Sequence, residues 1–397
     1  MTKNLLFITW DGPQTSYMEG LFMPIFQEVS KRMPVQFHVM QFTWADQKKI
    51  QEVSEAAKEM GIRYSAQPIM KKPVASLGSL FTLYTSSGII KKYIEDNKIN
   101  IVMPRSTFPS LMVERIKNKN FSIIFDADGL PIEERVDFAG LSRSTRQYRW
   151  MKAIETRMLK NADAVITRSQ KAIEIHLQNM GESYRGKFSV VKNGKDATVF
   201  IPNETQRIQT RKELGIADEK LFVYAGSLGS QYGIAEMLEI FGRYSALHPA
   251  RFLILTGSPE VLESYLTTEL RGKTIIRKVP ANEVPRYLNA ADLAFAIRKP
   301  TFSMQGVAPI KLGEYLLCGL PVIASKGIGD SESILKNFPE SYLFDHDVSI
   351  ENQGQKILNF IGQSQSFNRE NCHVRAKEFF SLEAVAESYI STLKKLI

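Results

Sequence analysis

The stretch PIKLGEYLLCGLPVIAS, residues 309–325, decides the reading of this chain. Residues 311–318 read as a short helix. Gly319 ends it, because glycine takes the left-handed conformation of a helix C-cap at little cost. Residues 320–324 then read as a buried strand. Lys311 and Glu314 are three apart and share one helix face near its start. The N–H groups and dipole of a helix start, joined by a lysine, suit phosphate oxygens. A carboxylate one turn later suits the hydroxyls of a ribose or a sugar. Spacing alone favours an ordinary helix–turn–strand with a surface Lys–Glu pair.

Similar apolar runs ending in Gly, Asp or Ser recur on both sides of this stretch. They are LLFITWDG, VQFHVMQFT, NIVMPRST, FSIIFDADG, ADAVITRS and FSVVKNG in the first half, and LFVYAGSLG, RFLILTGS, TIIRKVP, ADLAFAIRK and LPVIASKG in the second. Longer amphipathic stretches such as YMEGLFMPIFQEVSKRM and IAEMLEIFGRYSALH separate most of them. Strands alternating with helix-length segments predict parallel sheets built from βαβ units. Ligands in such sheets bind beyond the carboxyl ends of the strands, so the residues after each run are the candidates for chemistry. The polar segment 193–209, with Pro202, precedes a helix-like segment at 210–214 and marks the best boundary. It divides the chain into domains at 1–200 and 201–381. A last helix, 382–397, is free to return to the first domain.

The bulk numbers agree. A length of 397 residues suits two domains, and 44% hydrophobic with 23% charged residues is a globular composition. Cys318 and Cys372 are too few for a disulfide framework or a Cys-rich zinc site, which fits a reducing cytoplasm. The five histidines, His38, His176, His248, His346 and His373, show no metal-ligand spacing. The first apolar run is too short for a signal peptide, and no stretch approaches a transmembrane length. The net charge of +9 suits phosphorylated small molecules, anionic lipid or nucleic acid, but no nucleic-acid motif is present.

Residues 309–325 resemble the donor-binding signature of family-4 glycosyltransferases: a Glu, a short helix, a Cys-Gly or similar pair, then Pro-Val and a small-residue strand. The resemblance implies a GT-B fold, two Rossmann-like parallel αβα domains facing across a cleft, and a retaining transferase that uses a nucleotide-diphosphate sugar and requires no metal or other cofactor. Glu314 takes the place of the second Glu of the family's Glu-x7-Glu motif, the one that holds the ribose. Gly306 stands in place of the first. A related subgroup carries Ser, Pro and Lys before the Glu, as Ser303, Pro309 and Lys311 stand here, with the Lys at the donor phosphates. YAGSLGSQYGIAEML, residues 224–238, is similar to the first strand and loop of the donor domain. Ser227 and Gln231 stand near the places of the family's Arg and Lys there. Arg298 and Lys299, after the strand LAFAI, are the replacement cations, with Lys311. GIGD, residues 327–330, is similar to a loop that follows the donor strand. The implied donor contacts are therefore Gly226, Ser227, Leu228, Gly229, Lys299, Ser303, Val307, Ala308, Pro309, Lys311 and Glu314, with Arg298 and Lys311 neutralising the leaving diphosphate.

In the first half, Asp11, Gly12 and Tyr17 follow a strand that resembles the one facing the acceptor, and Arg105 follows another. FDADGLPIEERVDF, residues 125–138, puts Asp126 and Asp128 at a strand's carboxyl end. Acids after a buried strand need a partner or water. Asp126 is a candidate acceptor contact, and Asp128 a candidate for orienting the acceptor hydroxyl or acting as a base. Glu133 and Glu134 are candidates for capping the next helix with Arg135. A divalent metal at Asp126 and Asp128 is the minor alternative. The basic aromatic segment 146–169, with Tyr148 and Trp150, fits either a solvated helix or one lying on the inner face of a membrane.

The expected function is glycosyl transfer to a glycan or lipid-linked acceptor, in bacterial surface polysaccharide or glycan synthesis. Three other readings stand beside it. A dinucleotide oxidoreductase is disfavoured because the glycines at 226, 229 and 233 do not form GxGxxG. An exported sugar-binding protein would need a signal peptide. A binding-only transferase homologue would account for Gly306 and for the missing Arg and Lys.

Overall fold

The computed structural model describes residues 2–13, 16–72, 74–117 and 119–397. The chain divides into two compact units, Met1–Lys192 with Val385–Ile397, and Asn193–Ala384. Each is built on one parallel sheet with helices on both faces.

In the first unit the strands are β1 (Lys3–Asp11), β2 (Val35–Thr43), β3 (Arg63–Pro68), β4 (Ile101–Pro104), β5 (Ser122–Asp128), β6 (Ala164–Thr167) and β7 (Phe188–Val190). They lie in the order β3-β2-β1-β4-β5-β6-β7, all parallel. The second unit holds β8 (Lys220–Ala225), β9 (Ala250–Leu255), β10 (Thr274–Arg277), β11 (Leu293–Ala296), β12 (Val322–Ser325) and β13 (Ser341–Phe344). Their order is β10-β9-β8-β11-β12-β13. In both sheets the chain walks outward, then jumps back across its first strand. The β1/β4 and β8/β11 junctions are therefore switch points, where the connecting helices leave toward opposite faces and open a crevice at the carboxyl ends.

Most apolar runs become central strands, because parallel strands covered on both faces bury every side chain, while FSVVKNG and TIIRKVP form the edge strands β7 and β10. Leu5 to Ile8 in β1 and Leu221 to Val223 in β8 are fully buried. Two strands are not announced by such runs. RYSAQP (β3) and SYLF (β13) are edge strands, half-buried along most of their length. The helix expected from residue 210 starts earlier, at Glu204–Leu214, because Asn203 caps it through Gln206 N at 2.9 Å.

The helix Ile310–Leu317 ends in a Schellman motif. Gly319, at φ +69°, donates to Leu316 O and Leu320 N donates to Tyr315 O. A Cβ on Gly319 would sit 2.6 Å from Arg369 O, so the tight turn also admits a neighbouring backbone. Buried Tyr315 accepts a hydrogen bond from Ala225 N at 3.0 Å, which ties this helix to the carboxyl end of β8.

The last helix, Leu382–Leu393, packs in the first unit from Val385 onward. Its Tyr389 meets Phe26 edge-on at 6.2 Å, beside the Phe26–Phe37 stack. The two aromatic residues of the helix Arg146–Asn161 are half-buried. Trp150 packs on the core, and Tyr148 Oη donates to Glu133 at 2.7 Å.

Candidate functional site

Strand order puts the residue after β8 beside the residues after β11. Tyr232 N-terminal to its helix and Arg298 form a backbone bridge, with Gly233 N donating to Ile297 O and Lys299 N to Gln231 O at 3.0 Å. The loop 226–233 is thereby pinned against the end of β11. Leu228 is a core side chain that anchors this loop, whereas Ser227 is exposed.

Three donors converge on the Tyr232 hydroxyl. Lys311 Nζ and Arg298 Nη2 each lie 3.2 Å from it, and Ser227 Oγ lies at 3.4 Å. Both cations also sit 4.7 Å from the centre of the Tyr232 ring. Tyr232 is 7% exposed. Burial by itself would raise its phenol, but the Lys311 and Arg298 charges outweigh burial and bring it down to about 8. Without an acceptor between them, two cations this close would repel; the phenol oxygen holds them side by side.

Lys311 also lies across Gly226. A Cβ there would sit 2.0 Å from Lys311 Cε, and the φ of +146° is itself one that side chains avoid. The lysine leaves the first turn of the helix Ile310–Leu317, whose start has no side-chain cap. Lys311, Arg298 and unclaimed helix N–H groups thus form one electropositive corner at the switch point, suited to a dianionic group.

One turn later Glu314 is held by Lys195, Nζ to Oε1 at 3.0 Å. Asn193 Nδ2 donates to Ala308 O at 2.8 Å, fixing the approach to the helix. Val307, Ala308 and Pro309 are half-buried between the turn Phe302–Gly306 and the helix. Ser303 lies buried within that turn. Lys299 joins the site through its backbone, and its side chain is exposed. Gly229 packs under Gln231.

Behind Arg298 stands a relay that sequence reasoning missed. Arg298 N donates to Ser325 Oγ at 2.9 Å, Ser325 Oγ lies 2.9 Å from His346 Nε2, and His346 Nδ1 is 3.7 Å from Glu236. Burial pulls the His346 imidazole below its ordinary range, more than Glu236 restores. Tyr232 and Lys195 were missed as well. The sequence marks Arg298 and Lys311 as replacement cations, and nothing local marks a tyrosine as the residue that gathers them.

The first unit carries its own cluster at the β1/β4 switch point. Arg105 Nη2 lies 2.6 Å from Asp128 and its Nη1 3.7 Å from Asp11. Arg168, just after β6, bonds Asp126 at 2.7 Å and reaches Asp128 at 3.4 Å. Asp11 also accepts from Thr9. Asp126 is fully buried and accepts Asp128 N at 2.9 Å; Asp128, at φ +63°, is turned outward and stays part-exposed. Burial works against the Arg168 charge, but the Asp126 carboxylate outweighs it and keeps the guanidinium protonated. Arg105 lies 6.0 Å from the centre of the exposed Tyr17 ring. Gly12 allows Trp44 to close over the turn, since a Cβ would meet its ring at 2.6 Å. Arg168 was missed, although the rule that selects Arg105 (a residue just beyond a strand) selects it too.

Glu133 lies in the first turn of the helix Pro131–Phe138, which has no side-chain cap, and is buried in a separate network with Arg143, Tyr148 and Lys152, so it ties helices together rather than capping one. Among the described residues, no group of three or more His, Cys, Asp or Glu comes together to hold a metal ion.

Residues 206–379 match the family model described as "Glycosyl transferases group 1". Spore coat protein SA of Bacillus subtilis (strain 168) is 24% identical over 234 residues, 54% of this chain and 60% of that protein. The match therefore spans less than two thirds of this curated relative. The structure of Anabaena HepE in complex with UDP and glucose is similar with a TM-score of 0.72 and 15% identity, covering 99% of this chain and 100% of that one. Sucrose-phosphate synthase from Thermosynechococcus elongatus gives 0.68 at 15% identity, with 99% of each chain covered. These likenesses carry the fold, two Rossmann-like α/β units as in GT-B glycosyltransferases.

Proposed function

We propose that this chain, which carries a group 1 glycosyltransferase domain at residues 206–379, transfers a sugar from a nucleotide diphosphate to an acceptor hydroxyl with retention of anomeric configuration. The observation that carries the reading is the convergence of Lys311 and Arg298 on Tyr232 beside the start of the helix Ile310–Leu317. A diphosphate placed there takes over the hydrogen bonds that both cations now give the phenol. Glu314, steadied by Lys195, accepts from the ribose hydroxyls one turn along. Support comes from the neighbour HepE, whose structure is described as a complex with UDP and glucose.

The bond between the anomeric carbon and the diphosphate oxygen breaks, and its electron pair leaves on that oxygen. Lys311, Arg298 and helix amides stabilise the charge as it grows, where cations fixed in advance act without reorganising. The acceptor oxygen bonds to the anomeric carbon, and its proton passes to the departing diphosphate. Asp128, already paired with two guanidiniums, orients the acceptor hydroxyl, with Asp11, Gly12, Tyr17 and Arg105 around it, whereas Asp126, fully buried against Arg168, holds that arginine rather than the acceptor. The cations in this reading are side chains, so turnover is expected to persist in excess chelator. The acceptor is a glycan or lipid-linked saccharide of a bacterial surface polymer.

The test is calorimetric titration with UDP, GDP and NAD, followed by a donor-hydrolysis assay. UDP or GDP binding with slow donor hydrolysis supports the proposal. NAD binding without either nucleotide diphosphate overturns it. Nucleotide-sugar binding with no turnover on any acceptor would assign the chain as a binding-only homologue, the reading that Gly306 favours.

A further inference from the structure

The helix Ala75–Thr85 of the first unit is apolar on two faces, and only one of them is used. Gly78, Thr82 and Leu83 are buried, with Gly78 so close to Met70 that a Cβ would meet its carbonyl oxygen at 2.3 Å. On the opposite side Leu77, Leu80, Phe81 and Tyr84 lie within one stripe at helical spacing, exposed by 54%, 41%, 56% and 43%. Met70 and Val74, which lead into the helix, are also exposed, as is Trp44 after β2. Scattered exposed apolar residues are ordinary, but a continuous stripe of large ones on one helix is the pattern of a surface that is covered in use.

The segment that carries this stripe is cationic. From residue 60 to residue 94 the chain has five cations, Arg63, Lys71, Lys72, Lys91 and Lys92, and no Asp or Glu. Two exposed aromatic rings each carry a cation at their face. Lys71 Nζ is 5.7 Å from the centre of the Trp44 ring, and Arg115 Cζ is 4.6 Å from that of Tyr84. An amphipathic aromatic ring beside a long cationic side chain suits the boundary between headgroups and acyl chains. A second copy of this chain is a poor occupant, because a two-fold contact would bring Lys71, Lys72 and Arg115 toward their own copies.

We propose that this face docks on an anionic phospholipid bilayer, with Leu77, Phe81 and Tyr84 inserted among the acyl chains and Lys71, Lys72 and Arg115 at the lipid phosphates. Trp44 follows the carboxyl end of β2 and Met70 that of β3, at the same sheet end as Asp11 after β1. Resting on the transferase reading, this position brings a lipid-borne hydroxyl to the Asp11–Arg105–Asp128 cluster. The docking itself does not depend on that reading.

Flotation of the purified full chain with vesicles tests it. Vesicles of phosphatidylcholine with phosphatidylglycerol are expected to carry the protein, pure phosphatidylcholine much less, and added salt to weaken the binding. The double variant Leu77→Ser/Phe81→Ser is expected to bind anionic vesicles roughly tenfold or more weakly. Lys71→Glu/Lys72→Glu should lose the preference for anionic lipid. Both should keep the wild-type unfolding temperature and nucleotide affinity, which separates failed docking from failed folding or a failed donor site. Wild-type protein that ignores anionic vesicles, or a Leu77→Ser/Phe81→Ser variant that binds like wild type, overturns the proposal. So does a wild-type dimer in light scattering that Phe81→Ser converts to monomer, since a second copy would then own the face.

Discussion

The Tyr232 hydroxyl and a bound diphosphate would compete for the same two cations, and pH can set the outcome. The perturbation is Tyr232→Phe, which removes the oxygen that Lys311 and Arg298 approach at 3.2 Å. In the free protein this phenol ionises near 8 rather than its ordinary 10.0. Below 8 it is neutral and yields its partners to phosphate. Above 8 it is tyrosinate, and binding must first reprotonate it. Linkage then lowers nucleotide affinity by about tenfold, or ~1.4 kcal/mol, for one pH unit above that value. Stability runs the other way. A group whose ionisation is eased in the folded state adds nothing at neutral pH and gains as pH climbs from about 8 toward 10, to a ceiling of ~3 kcal/mol. Calorimetric titration with UDP from about pH 7 to 9.5 should show wild-type affinity falling as ultraviolet tyrosinate absorbance appears, with Tyr232→Phe losing both the fall and the early absorbance. Unfolding of the free protein over the same range should show wild type gaining stability relative to the variant. An identical pH dependence of affinity in the two proteins would refute the reasoning.

Five further substitutions probe the two clusters. Gly226→Ala should expel Lys311, whose Cε lies 2.0 Å from the added carbon, and cost at least roughly tenfold in UDP affinity and ~1 kcal/mol or more in urea unfolding. Lys311→Ala and Glu314→Ala should each weaken nucleotide binding roughly tenfold in the same titration and leave the unfolding temperature within a few degrees of wild type; activity unchanged in both would remove the donor-site assignment. Asp126→Ala removes the 2.7 Å partner of the buried Arg168 and leaves it Asp128 at 3.4 Å, which should cost ~3–5 kcal/mol in urea unfolding. Asp128→Asn, at a part-exposed position, should cost no more than ~1 kcal/mol and appear in turnover instead; a loss of stability equal to that of Asp126→Ala would make Asp128 structural.

Much of the architecture is legible along the chain because a strand buried on both faces has to be apolar throughout. LLFITWDG, LFVYAGSLG and LPVIASKG each announce a strand and, in their last residues, its carboxyl end. The edges are less legible. RYSAQP and SYLF have one neighbour each and half-buried faces, so no continuous apolar run is required of them. Gly319 was legible as a helix terminator because its backbone conformation has a local cause. The start of Glu204–Leu214 is less legible, because Asn203 caps it from within a polar segment that also holds Pro202.

What the sequence by itself determined is the set of elements and the places where chemistry can sit: Asp11, Arg105, Asp126 and Asp128 beyond strands of the first unit, and Gly226, Arg298 and Lys311 around strands of the second. Only the tertiary structure decided which of these meet. Tyr232 stands 66 residues from Arg298 and 79 from Lys311, and Arg168 stands 42 from Asp126. Strand order, set by how the helices cover the two faces of each sheet, brings those ends together. The physical reason is range: helix, turn and strand preferences act over a few residues, whereas a tyrosine between two cations or an arginine between two aspartates is a property of neighbours in space. The segment around Lys311 and Glu314 names a lysine and a carboxylate for a nucleotide; the fold supplies Tyr232, Arg298 and Lys195, which give those two groups their positions.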